Sequence, residues 1–140
     1  MEVDKHSAQK SVLALAPAAL AANTNGISIN TKGYESLEYH IAVGTAFVGG
    51  GFNVTLEEDV DDGAGSPAGT WAAVPAANIL GALPSIAIAD ANTAFRVGSI
   101  GKKQWQRIVV TETGTITGGV IGAIGVLGDP KHGLVDDQST

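Results

Sequence analysis

Alternation of apolar and polar residues is the feature that most limits what this chain can fold into. In "SLEYHIAV", residues 36–43, Leu37, Tyr39, Ile41 and Val43 fall on one side of an extended backbone. Ser36, Glu38, His40 and Ala42 fall on the other. "FNVTLE" repeats the pattern, with Phe52, Val54 and Leu56 opposed to Asn53, Thr55 and Glu57. A period of two buries one face of a strand and leaves a helix with apolar groups all round. "SIAIA" and "AFRVGSI" read as shorter strands. "QWQRIVVTET" reads as a long one with apolar groups on both faces, and "GVIGAIGVLG" closes the series. Turn-forming clusters separate these runs, among them "NTKG", "VGGG", "DDGAGSP", "DANT" and "ETGTITGG". The expected fold is all-β, an antiparallel β-sandwich or jelly roll of about eight strands. The 19 glycines among 140 residues suit turns and strands better than long helices.

One domain accounts for this length. We divide the chain into an extended N-terminal arm (1–26), a β-sandwich (27–128) and a C-terminal tail (129–140). "KSVLALAPAALAANTNG" superficially resembles a secretion signal, but Glu2 and Asp4 dilute its basic start and Pro17 interrupts its apolar run. The run is too short to cross a bilayer. Pro17 also favours an extended arm with a short strand over a helix across 8–22. Extended, the arm leaves Val12, Leu13, Leu15 and Leu20 in need of a cover, as the tail leaves Leu134 and Val135. These six residues are the expected interface, and the polar ends are expected to lie against a partner.

Chemistry has little to work with. Without cysteine there is no disulfide, thiolate metal site or cysteine nucleophile. A net charge of −6 with scattered basic residues gives no nucleic-acid footprint. His6, His40 and His132 lack metal-ligand spacing, so no metal or cofactor is expected. "VGGGF" lacks the Lys-Ser/Thr of a phosphate loop and reads as a connection between strands. The densest cluster is "LEEDVDDGAGSPAGTW", with Glu57, Glu58, Asp59, Asp61 and Asp62 together. Its spacing only partly echoes a calcium loop, which needs a distant Glu. Five carboxylates in one wet loop share one environment, whereas acid–base catalysis needs two different ones. The expected role is a solvated strand–loop–strand connection, with Trp71 as its anchor. Trp71 and Trp105 are expected in the core rather than as a sugar-stacking platform.

Four stretches, "ISINTKGYESLEYHIAVG", "NVTLEEDVDDGAGSPAGTWAAVP", "IGKKQWQRIVVT" and "IGAIGVLGDPKHG", resemble small structural proteins of tailed bacteriophages, the jelly-roll capsid cement or decoration proteins. The resemblance spans roughly residues 27–133 and leaves the arm outside. It implies a non-enzymatic virion protein on the outer capsid surface, assembled in the host bacterial cytoplasm. It also implies that the major capsid protein and a second copy of the chain are the partners, with no membrane or nucleic acid involved. The alternative from another class is a carbohydrate- or receptor-binding β-sandwich of a phage tail or fibre.

Overall fold

A computed structural model describes residues 6–20 and 22–130. Two antiparallel sheets face each other. One has the strand order β1 (Lys10–Ala19), β11 (Val120–Pro130), β4 (Tyr34–Val43), β9 (Ala94–Ser99) and β7 (Ile79–Leu80). In the other, β10 (Trp105–Thr117) is central and pairs with β5 (Val48–Asp59). Two short pieces, β2 (Thr24–Asn25) and β3 (Ile29–Asn30), line the far side of β10. Two more, β6 (Ala72–Ala73) and β8 (Ser85–Ile86), line β5.

Taking β2 with β3 as the second strand and β6 with β8 as the fifth, and setting aside the two-residue edge strand β7, the sheets read 1-8-3-6 and 2-7-4-5. That is the jelly-roll arrangement of two Greek keys. Short 3-10 turns at Ala76–Asn78 and Ile88–Asp90 are the helical pieces among the described residues.

The alternation dictates the core. Leu37, Tyr39, Ile41 and Val43 of β4 are buried against Phe52, Val54 and Leu56 of β5, with Ile108 and Val110 of β10 and Ile121 and Leu127 of β11. Each such side chain contributes about 1.5–3 kcal/mol on leaving water. The Phe47 and Phe52 rings meet at 5.4 Å between centroids, tilted by 56°.

Two expectations need correction. Residues 10–19 are extended rather than helical, as expected, but they form a full strand of the sandwich and not an arm outside it: β1 pairs along β11 from Lys10–Leu127 to Ala19–Val120. Leu15 is only 3% exposed and Ala14 is fully buried. The strand carries irregularities between Leu13 and Leu15 and between Leu15 and Ala18, so Ala14 and Leu15 both reach the core while Leu13 stays outside. Those breaks in period hide the strand from a pattern reading. The segment is tied on its other side too, since the Ile27 amide donates to the Ala14 carbonyl (2.8 Å) and the Gly26 amide to that of Ile108 (2.7 Å).

The glycines of "VGGGF" do not join two strands; they begin β5. A Cβ at Gly50 would lie 1.8 Å from the Thr113 carbonyl oxygen, so the close approach of β5 to β10 requires glycine there.

Candidate interaction surface

The acidic stretch is resolved into separate tasks. On β5, Leu56 and Glu58 point inward, and Glu57 and Asp59 outward. Glu57 sits opposite Arg107 and binds it through Nη2 (2.6 Å) and Nε (2.8 Å). The Arg107 guanidinium also lies 4.2 Å from the centre of the Trp71 ring. Asp59 has no solvent exposure. Its carboxylate accepts from the Thr70 hydroxyl (2.6 Å) and from the amides of Gly69 (2.6 Å), Val60 (2.8 Å) and Thr70 (3.1 Å). Burial alone raises the Asp59 pKa, but these four donors together outweigh it and hold the group below the ordinary carboxylate range.

Asp61 accepts from the Trp105 indole N–H at 2.9 Å, the main reason its pKa is also lowered. The Gly63 amide and the nearby charge of Lys32 act in the same direction. Asp62 accepts from the amides of Ala64 (2.7 Å) and Ser66 (3.2 Å). Gly63, with φ of +88°, supplies the left-handed turn between them.

The expectation of one shared wet environment is therefore overturned. Cross-strand partners and loop amides give each carboxylate its own role, and together they fold the loop over the outer face of β5 and β10. Trp71 and Trp105 are half-buried on that face rather than in the core, because Gln106, Ile108 and Val110 take the inward positions of β10. Among the described residues, no group of three or more His, Cys, Asp or Glu side chains is placed to hold a metal ion.

The outer face of the other sheet differs in character. The register aligns Leu13, Ile124, His40 and Arg96 in one row across β1, β11, β4 and β9. The next row holds Gly122, Ala42 and Ala94, with Pro17 of β1 lying against Gly122. Solvent-facing rows of a free-standing sandwich are ordinarily polar. Here the second row is small or apolar throughout, and the first is apolar on β1 and β11, where Leu13 and Ile124 are 48% and 49% exposed, turning polar only at His40 and Arg96. Together with Val120 they line a shallow depression of about 390 Å³. At its border, Arg96 pairs with Glu38 at 2.9 Å, both well exposed. An apolar centre with a charged border is the layout of a protein interface.

The expected interface residues separate accordingly. Leu13 lies in this face. Leu15 belongs to the core, with Val12 and Leu20 packed against it, so these three are already covered by the fold. Leu134 and Val135 lie outside the described residues. The reading of the sequence missed Ile124, Gly122, Ala42 and Ala94. For Gly122 and Ile124 the signal was the complete absence of charge from "GVIGAIGVLG", which is interpretable only once β11 is known to be flanked by β1 and β4.

No protein-family profile matches the chain, and no curated protein matches its sequence. Among solved structures, the chain is similar to the SPBc2 prophage-derived protein YomS, at 13% identity and a TM-score of 0.44, covering 92% of this chain and all of that one. A second likeness is to a chain of infectious bursal disease virus, Gx strain, at 17% identity and a TM-score of 0.30, covering 85% of this chain and 39% of that one.

Proposed function

We propose that the chain is a non-enzymatic virion structural protein that binds the outer surface of a tailed-phage capsid and cements neighbouring major capsid protein subunits. The observation that carries this reading is the apolar outer face of the β1–β11–β4–β9 sheet, which asks for a protein cover. The sequence resemblance to phage cement proteins, in detail to that of a Bordetella bacteriophage, supports the same reading. So does the economy of the fold: cementing needs a rigid module that binds several neighbours of an assembled lattice. Such binding stabilises the lattice by mass action and is reinforced by multivalency. In this reading the chain acts as a homodimer, joins the particle in the host cytoplasm and needs no cofactor.

Heating capsids assembled with and without the chain tests the proposal. Cemented shells should rupture at a higher temperature. Equal rupture temperatures at full occupancy would remove the cementing role.

A further inference from the structure

A cleft lies at the end of the sandwich where the turn 31–34 meets the loop 100–104. It encloses about 560 Å³, and Lys32, Lys102 and Lys103 stand along it. Among the described residues, the basic side chains with ion-pair partners are Arg96 and Arg107. The three cleft lysines have none, in a chain of net charge −6. Two carboxylates, Glu35 and Asp129, also line the cleft, and Asp129 accepts a hydrogen bond from the Ser36 hydroxyl at 2.8 Å.

The lysine loop is held in place from beneath. Ser99 donates to Gln106 Oε1 at 2.6 Å, and the Gly101 amide donates to the Ser99 hydroxyl at 3.1 Å. The Lys103 amide reaches the buried Glu58 carboxylate at 3.5 Å. From the other wall, the Thr31 amide and hydroxyl both donate to the Gln104 carbonyl, at 2.8 and 2.7 Å. The two walls are thus bonded to each other, and the cleft exists before any ligand arrives.

We infer that this cleft is a docking site for an acidic peptide segment of a partner protein. Lys32, Lys102 and Lys103 make no close ion pair among the described residues, and the backbone that carries them is held in place, so they offer complementary charge without a cost for ordering the loop. The surrounding carboxylates decide the class of ligand. Asp61 lies close enough to Lys32 for its pKa to be lowered by it, and Glu35 and Asp129 stand in the cleft itself. A nucleic acid or polyphosphate, with charge at every link, would be repelled as it left the lysines. A peptide with acidic side chains at intervals meets no such barrier. The inference goes beyond the capsid reading, because it specifies the chemistry of the bound segment and not the particle that supplies it.

The experiment titrates the full-length chain with a peptide of three glutamates separated by pairs of glycines, followed by amide chemical shifts. The expected result is perturbation centred on residues 31–36 and 100–104 that weakens as salt is raised. The triple substitution Lys32→Gln, Lys102→Gln, Lys103→Gln should bind about tenfold more weakly. Lys10→Gln, outside the cleft, should bind as the wild type does. Unchanged affinity in the triple variant, or perturbation elsewhere on the surface, would overturn the inference. So would tripolyphosphate binding the cleft more tightly than the peptide. Melting curves of each variant separate loss of binding from loss of fold. None of these readouts involves a capsid, so the inference and the cementing role stand or fall separately.

Discussion

Leu15 and Leu13 are two residues apart on β1, yet the fold assigns them opposite fates, and truncating each to alanine tests that assignment. Leu15 is 3% exposed inside the core. Its truncation removes a buried side chain and leaves a cavity that β11 and β10 cannot fully close. The expected cost is about 3 kcal/mol, within the roughly 2–5 kcal/mol range of buried Leu→Ala changes. For a domain of this size that lowers the melting temperature by about 10 °C. Leu13 is 48% exposed, so the same truncation should cost less than about 0.5 kcal/mol and move the melt by about 2 °C at most. Thermal melts followed by circular dichroism, with urea unfolding for the free energies, measure both. Removal of residues 1–20 should likewise unfold the domain, because it strips a whole strand from β11. If Leu15→Ala melted with the wild type, or the truncated chain stayed folded, β1 would be a dispensable arm and the packing described above would be wrong.

Other substitutions follow from single contacts. Tyr39 is fully buried and its hydroxyl has no hydrogen-bond partner among the described residues, while burial pushes its pKa upward. Tyr39→Phe should therefore be neutral or stabilise by up to about 1 kcal/mol in urea unfolding. Gly50→Ala places a methyl against the Thr113 carbonyl and should destabilise by on the order of 1–3 kcal/mol in the same assay. Asp59 and Asp61 have pKa values below the ordinary carboxylate range in the folded chain, so the stability they contribute is present above the unfolded-state value of about 3.9. It is lost as pH falls through their lower folded values, so unfolding free energy should drop below about pH 4. Asp59→Asn should flatten that acid limb; an unchanged slope would mean that the loop amides do not hold the carboxylate.

What the sequence discloses follows the range of the interactions involved. β4 and most of β5 are legible because their burial is periodic over eight or more residues, and periodicity is local. β1 is not legible: alanines and Pro17 weaken its strand character, and its bulges shift the inward face at Ala14. Its identity rests on pairing with β11, more than a hundred residues later. The acidic loop misleads for a related reason. Glu57 is defined by Arg107 and Asp61 by Trp105, both on β10, so adjacent carboxylates of similar chemistry acquire different roles through remote partners. The glycine run looks like a turn because no sequence window shows the Thr113 carbonyl facing it. The apolar outer face was legible only in fragments, as uncharged alternate positions on three strands that are neighbours in space alone.

If the chain is a fixed component of a capsid surface, as proposed, particles purified from cells that encode it should carry it at a constant ratio to the major capsid protein. Ile124→Glu, which places a charge in the exposed apolar face without entering the core, should strip the chain from particles while its melting curve stays near that of the wild type. Particles that never contain the chain, or that retain the Ile124→Glu variant at full ratio, would contradict the proposal.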